Sequence, residues 1–240
     1  MIGYIDTVIK LIKKADRVNE KSIEDVSDLI KECIRNNGII YMFGCGHSGL
    51  IAQDCFYRAG GLANIQPIFV PELMLHVSAS KSSLLEKSES NAEGILDQYS
   101  FKKDDLLFVF SVSGINGVPV EIAHQGKEKG LKVVGMGSSL YKNEKSRHSS
   151  LKHLKDYCDI FLDNCVPKGD AVLDVDGTTK AVPVSTVISS FIIQSCIYKA
   201  FIKCKDENIK IDYFGSGNLS LNKERNNKLV DKYKQRIKFL

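Results

Sequence analysis

The chain alternates short, unbroken apolar runs with longer segments in which apolar residues recur every three or four positions. The runs are typical of strands buried on both faces of a parallel sheet, and the longer spacing is typical of helices. Five strands are predicted, at 39–43, 65–70, 106–110, 131–136 and 160–162. Helices are predicted at 2–12, 19–35, 50–59, 82–99, 118–129, 183–204 and from 222 onward. This alternation predicts a three-layer α/β sandwich with a five-stranded parallel sheet, right-handed crossovers and a flavodoxin-like strand order.

In two of these helices the pattern also predicts which residues face inward. The polar helix 82–99 is expected to bury Leu84, Leu85, Ile95 and Leu96. The apolar stripe of the tail helix consists of Leu229, Tyr233 and Ile237.

More helices are predicted than one five-stranded sheet needs, because each crossover already supplies one helix. Apolar stripes therefore remain to be buried in a contact between subunits, on the helices 2–12, 19–35 and 183–204. We expect a homodimer or homotetramer. The predicted organisation is N-terminal helices at 1–37, an α/β domain at 38–205 and a C-terminal extension with a helix at 206–240.

Composition narrows the choice of partners and compartment. Of 240 residues 43% are apolar, enough for an ordinary core, and the formal charge of +4 is small. The basic tail 223–238 lacks interleaved aromatic residues, so no nucleic-acid partner is predicted. No signal peptide or uninterrupted membrane span is visible, and the apolar stretch 181–201 is broken by polar residues. Seven scattered cysteines without a CxxC pair favour free thiols in a reducing cytoplasm.

A small polar turn joins strand 106–110 to the next helix: Ser111-Val112-Ser113-Gly114-Ile115-Asn116-Gly117. For the predicted helix 118–129, Asn116 is the candidate N-cap, Pro119 fits the first turn, and Gly130 is the candidate C-terminal cap. A strand, a turn and a helix in this order aim backbone N–H groups at one point, which attracts phosphate. The alternative is a Ser-Gly turn that only connects two elements.

A glycine-rich loop, Gly44-Cys45-Gly46-His47-Ser48, follows the first strand. Its glycines let the backbone approach a ligand closely, and Ser48 can cap the next helix or donate to a ligand. His47 can donate to a sugar or move a proton near neutral pH, or it can be a loop histidine that stabilises the turn. Both loops follow strands, so they are expected to face one crevice.

The two loops together resemble the SIS (sugar isomerase) domain, whose phosphate turn has the form Ser-x-Ser-Gly-x-Ser/Thr. Asn116 replaces the usual final hydroxyl residue. The likeness covers 38–201 and is similar in detail to phosphosugar-binding, phosphoheptose-isomerase-like proteins. The segments that carry this similarity are 56–61, 71–76, 163–164 and 169–171. The resemblance implies a phosphorylated sugar as ligand, bound by Gly46, Ser48, Ser111, Ser113, Gly114 and Asn116.

Acid/base candidates follow the other strand ends. Glu72 and His76 are four residues apart, which would put both on one helix face. Glu72 is the first choice for the base of an aldose–ketose isomerisation, with His47 or His76 as its partner; alternatively, Glu72 is a carboxylate favoured by a helix N-terminus.

Six further residues have less defined roles. His124 is expected to be structural, and the segment with Arg147 and His148 either covers the site or is a surface loop. Asp163, Asn164 and Asp170 are candidates for binding hydroxyls or a cation. No cofactor or metal is predicted, because no pair of His or Cys has familiar zinc spacing.

The sequence departs from SIS isomerases where they place a catalytic His or Glu, at the helix after the fifth strand. Here 185–191 has no titratable side chain, and Arg58 stands about where some relatives have a catalytic Glu. The predicted function is a phosphosugar aldose–ketose isomerase, as the resemblance implies. Because the usual catalytic residue is missing, a non-catalytic phosphosugar sensor and a sugar-phosphate lyase or etherase are the alternatives.

Overall fold

The computed structural model describes residues 3–240. Its main sheet contains the strands β1 (Ile40–Gly44), β2 (Ile65–Ile68), β3 (Leu106–Phe110), β4 (Lys132–Gly137) and β5 (Ile160–Asp163). All pairs are parallel, and the order is β2-β1-β3-β4-β5. The predicted strands and their flavodoxin-like order are confirmed.

Six helices accompany the sheet within the described residues: α1 (Tyr4–Arg35), α2 (Gly49–Cys55), α3 (Leu75–Leu85), α4 (Gly117–Glu128), α5 (Ser185–Asp206) and α6 (Lys223–Tyr233). A small antiparallel hairpin, β6 (Ala171–Asp174) and β7 (Lys180–Pro183), was not predicted. It forms between β5 and α5 around an Asp-Gly turn in which Gly177 has φ +85°.

The two predicted N-terminal helices are one continuous helix of 32 residues, so the prediction of a break was wrong. No Gly or Pro lies between 4 and 35 to interrupt it. The polar Asn19 in its middle is accommodated because its side chain donates to Ala15 O and Asp163 O, both at 2.7 Å. Ile2, placed at the start of the first predicted helix, lies outside the described residues.

The predicted helix 82–99 is also wrong. Helix α3 ends at Leu85, and 3₁₀ turns follow at Glu89–Ala92 and Leu96–Gln98. Gly94, with φ +70°, interrupts the segment. Ile95 and Leu96 are buried as expected, but Leu84 is 66% exposed. The predicted helix 50–59 ends early, at Cys55, because Tyr57 adopts a positive φ of 48°.

Alternate strand residues face two separate cores. Ile40 and Met42 pack with α1, α2 and α5 on one face of the sheet. Tyr41 and Phe43 pack on the other face with α4 and the C-terminal segment, whose Leu229, Tyr233 and Ile237 are buried as predicted. The C-terminal extension therefore completes one of the two cores.

Helix α5 is long and apolar enough to cross a membrane by length and composition alone. Its Ile188, Ile192 and Cys196 are fully buried in the core with α1. Burial against the protein's own sheet accounts for this composition.

Candidate active site

The loops that follow β1 and β3 lie side by side, because these two strands are neighbours in the sheet. Both face a cavity of about 270 Å³ at the carboxyl edge of the sheet, where open α/β folds bind ligands. The cavity is lined by Gly46, His47, Ser48, Ser111, Ser113 and Asn116, which were all predicted as site residues. Its size suits one small ligand.

The hydroxyl groups in the two loops differ in their availability. Ser111 Oγ accepts the Gly114 N–H at 3.2 Å, which stabilises a turn in which Gly114 has φ +63°. Ser48 precedes α2, but its side chain makes no capping bond. Within residues 3–240, Ser113 Oγ has no hydrogen-bond partner, so this hydroxyl is free to donate to a ligand.

The first turn of α4 is less open to an anion than the sequence suggested. Gly117 N–H donates to Lys87 O at 3.2 Å, and Val118 N–H donates to Glu86 O at 3.1 Å. Pro119 has no N–H to offer. In the described part of the chain, the N–H groups of Ser113, Ile115 and Asn116 have no acceptor. An anion would therefore bind to the turn itself rather than to the helix end.

Asn116 stands at the N-cap position with extended backbone, but its side chain makes no capping bond. Its Oδ1 accepts a hydrogen bond from the Arg147 guanidinium. Arg147 is held here because its backbone N–H donates to Ile115 O at 2.8 Å. The segment after β4 therefore places a cation beside the turn that follows β3.

Glu86, which sequence reasoning missed, is a carboxylate in the cavity wall. Burial raises the pKa of Glu86, and the charge of Arg147 and the Asn116 amide partly oppose that shift. Burial, together with the Glu86 charge, also raises the pKa of the neighbouring Cys45 thiol well above its ordinary value, so this thiol is unreactive. Glu86 lies twenty-five residues before the turn, and no spacing in the sequence connects the two.

Glu72 and His76 are not among the residues that line this cavity. Glu72 belongs to a 3₁₀ turn at Pro71–Leu73, Met74 is extended, and His76 lies in the first turn of α3. The expectation that they share a helix face is therefore wrong, because the chain changes direction between them. Their catalytic role stays a prediction that this geometry does not favour.

The polar residues after β5 are engaged in local structure. Asp163 accepts from Ser139 N–H and Cys165 N–H, and Asn164 accepts from Val166 N–H. Asp170, at the rim of the cavity, accepts from Ser185 N–H at 2.8 Å and fixes the start of α5. Among the described residues, these carboxylates serve as caps and turn acceptors.

The start of α5 extends the cavity with hydroxyl groups. Ser185, Thr186 and Ser189 lie with His47 and Ser48 around a small adjoining pocket. The sequence departs from SIS isomerases at this helix, and the structure shows the result: the residues of α5 that line the pocket have no titratable side chain.

The two histidines with less defined roles lie in a separate cleft. His148 is buried, with a side chain only 4% exposed, and does not line the cavity of the phosphate turn. Its Nε2 lies 2.8 Å from Glu121 on α4, next to His124. This cleft measures about 800 Å³ and is outside the predicted site.

Comparison with known proteins identifies the family. The SIS domain family matches residues 3–138. A UPF0309 protein of Thermoanaerobacter pseudethanolicus is 39% identical over 246 residues, covering 100% of both chains. A UPF0309 protein of Listeria innocua is 40% identical over 240 residues, covering 99% of this chain and 97% of that protein. The chain is a SIS-domain protein of the UPF0309 family.

Solved structures share the fold of this SIS-domain protein. A phosphoheptose isomerase from Neisseria gonorrhoeae has a TM-score of 0.50 at 15% identity, covering 85% of this chain and 95% of that chain. One from Francisella tularensis has a TM-score of 0.51 at 16% identity, covering 83% and 93%. At these identities the likeness establishes the fold alone, and it confirms the fold expected from the sequence.

Both predicted loops and Glu86 lie within the SIS-domain match, whereas Arg147 and α5 lie beyond residue 138. The UPF0309 relatives align with the whole chain, including Arg147 and α5. The candidate site therefore combines SIS loops with elements outside the matched range.

Proposed function

We propose that this SIS-domain protein binds a phosphorylated sugar in the cavity between its two loops and interconverts the aldose and ketose forms. The observation that supports this is that free neutral donors and the partly buried carboxylate of Glu86 line one small cavity, with Arg147 held against Asn116 beside it. An anion would bind at the turn, and Glu86 would take part in proton transfer.

The phosphate would occupy the turn after β3. The Ser113 hydroxyl and the N–H group of Asn116 would supply neutral donors from the cavity wall. Arg147, which donates to Asn116 beside the turn, would supply positive charge. Ser48 and Ser111 face the same space from the two loops. One cationic group among neutral donors favours a monoester that is bound and then released.

Glu86 is our candidate for the general base, in place of Glu72. Isomerisation needs a base that takes a proton from the carbon beside the carbonyl and returns it to the neighbouring carbon through an enediol. A carboxylate whose pKa is raised by burial is a stronger base than an exposed one. His47, at the edge of the cavity, is placed to move the oxygen-bound proton.

A phosphosugar sensor without turnover is the second candidate. The observation that favours it is the start of α5, which brings only Ser185, Thr186 and Ser189 to the site. Because α5 supplies no titratable group, His47 alone would have to transfer protons to and from the oxygen atoms of the sugar. A sugar-phosphate lyase or etherase has no feature of this geometry in its favour.

The remaining expectations concern environment and partners. The seven cysteines are free, which fits the reducing cytoplasm. We expect a small phosphorylated ligand and a second copy of this chain as partners, and neither nucleic acid nor a membrane.

The test is a panel of five-, six- and seven-carbon sugar phosphates, screened by thermal shift and then by turnover. Turnover of a bound compound is expected, and Glu86→Gln should lower its rate by a factor of about 10² to 10⁴. Glu72→Gln is the matched control and should retain the parental rate. Binding without turnover would favour the sensor, and loss of rate in Glu72→Gln alone would refute Glu86 as base.

A further inference from the structure

Three potential metal ligands converge in the 800 Å³ cleft on the far side of the segment that contains Glu86. Glu121 and His124 lie one turn apart on α4, and His148 comes from the loop after β4. His148 Nε2 lies 2.8 Å from Glu121 Oε2, and His124 Nδ1 lies 3.3 Å from the same oxygen. One ligand atom from each residue lies within 4.8 Å of the other two.

A second carboxylate faces the same point. Glu89 Oε2 lies 3.4 Å from His148 Nε2. Glu89 Oε2 also accepts the Ser149 N–H at 2.6 Å, which holds this carboxylate beside His148. A single proton on His148 Nε2 cannot serve both carboxylates equally, and His124 Nδ1 faces Glu121 at only 3.3 Å. A divalent cation would engage both imidazoles and neutralise both carboxylates.

The outer contacts orient the two imidazoles for such a cation. His148 Nδ1 accepts the Ser150 backbone N–H at 3.2 Å and lies 2.7 Å from Ser150 Oγ, and these contacts hold the ring with Nε2 directed at the carboxylates. A cation bound there would displace the proton from Nε2. His124 Nε2 faces Glu128 at 3.6 Å, which favours a proton on that nitrogen and leaves Nδ1 directed at Glu121. Metal-bound histidines are typically held by an acceptor at the second nitrogen.

We propose that Glu121, His124 and His148 bind a divalent cation of the zinc class, with Glu89 as the fourth ligand. Tetrahedral zinc with ligands near 2.0 Å separates them by about 3.3 Å, close to the 2.8, 3.3 and 3.4 Å between these groups. Two imidazoles and carboxylate oxygens suit zinc better than magnesium or calcium. The cluster lines the open cleft, which gives a cation access from solvent.

The proposed cation would join three segments: α4, the 3₁₀ turn Glu89–Ala92 and the loop with His148. Arg147 is adjacent to His148, and Glu86 lies three residues before Glu89. Binding would therefore restrain the two segments that hold Arg147 beside the turn and Glu86 in the cavity wall. Only this consequence rests on the proposed function; the metal site does not.

The test begins with protein freed of metal by a chelator and titrated with Zn²⁺ in a calorimeter. We expect one Zn²⁺ per chain, and at least tenfold weaker binding by His124→Gln and by His148→Asn. His76→Asn, which removes an exposed histidine outside the cluster, should bind like the parent. His124 is half-exposed, so its variant is expected to fold even where a change at buried His148 does not.

Two results would overturn the site: a parent protein that binds no Zn²⁺, or a His124→Gln variant that binds it as tightly as the parent. Absorption of the Co²⁺ form adds an independent readout, since thiolate ligation would show that the cysteines hold the metal and would equally refute the proposal. Slower amide exchange in residues 146–150 on Zn²⁺ addition is expected. A protein that binds Zn²⁺ but no sugar phosphate would refute the proposed function and leave the metal site standing.

Discussion

Glu86 illustrates how one residue links stability to the candidate chemistry. Because burial raises its pKa above the ordinary value of 4.5, the folded protein holds this proton more tightly than the unfolded chain does. The free energy of unfolding therefore decreases as the pH rises from below the unfolded pKa to above the folded pKa. A loss of folding stability of this kind is common where a functional site needs a buried ionisable group.

The first prediction is that Glu86→Gln raises the free energy of unfolding at pH 7 but changes it little at pH 4, where the parental side chain is already protonated. Urea unfolding at both pH values measures this difference. Glu72→Gln, with an exposed side chain, should match the parent at both. A gain from Glu86→Gln that is the same at pH 4 and pH 7 would show that ionisation of Glu86 is not its source.

The second prediction concerns Ser113. Its hydroxyl has no partner in residues 3–240 and faces the cavity, so Ser113→Ala removes one neutral donor to a charged ligand. We expect a loss of about 1.5–3 kcal/mol in binding, or roughly 10- to 150-fold in Kd. Calorimetric titration with the sugar phosphate found in the panel measures it. Ser80→Ala is the control on an exposed position of α3, and equal affinities of parent and Ser113→Ala would rule out the proposed turn site.

At the scale of elements, the packing of α4 against residues 87–89 decides the shape of both candidate sites. Gly117 begins α4, and a Cβ there would lie 2.4 Å from Glu89 N and 2.7 Å from Lys87 O. These are backbone atoms and cannot rotate away. The glycine allows the close approach that places Glu86 on one side of the segment and Glu89 on the other.

The third prediction is that Gly117→Ala lowers the free energy of unfolding by about 1–3 kcal/mol, because it forces the two backbones apart. Urea unfolding at pH 7 measures this. Gly217→Ala is the matched control, since a Cβ there would meet no atom within 4 Å. Stability of Gly117→Ala equal to that of Gly217→Ala would contradict the close packing.

At the scale of the whole molecule, α1 and α5 pack on each other and still expose apolar side chains. Exposed residues on the pair include Ile5 at 72%, Tyr198 at 67%, Val18 at 50% and Ile202 at 41%. Ion pairs such as Lys203–Glu24 at 2.7 Å fix the two helices together. The apolar surface thus belongs to a rigid pair of helices, which suits a symmetric contact between two copies.

The fourth prediction is that the protein associates through α1 and α5, burying more than about 1,200 Å² in total. Light scattering at micromolar concentration should give at least twice the chain mass of 26.7 kDa. Tyr198→Glu with Ile202→Glu should shift the particle toward the monomer. Leu84→Glu, at an exposed leucine on α3, should not. A parent protein that scatters as a monomer would defeat this proposal.

Local patterns in the sequence were enough to predict the five strands, the core stripe of the tail helix and the two polar loops. Apolar runs make buried strands, and small polar residues after a strand make ligand loops. Ser48, Ser111 and Ser113 could be predicted because they belong to such loops.

Packing between distant segments determines which other groups lie beside those loops. Glu86 reaches the cavity because its carbonyl accepts the Val118 N–H. Arg147 lies beside the turn because its backbone N–H donates to Ile115 O. The cluster of Glu121, His124 and His148 likewise joins a helix to a loop that follows the next strand. Packing between segments also explains why 82–99 is not one helix although its local pattern is helical. The two predicted N-terminal helices are one helix in which the buried Asn19 side chain has hydrogen-bond acceptors. Sequence patterns report which face of an element is apolar, whereas contacts between elements depend on packing that no local pattern contains.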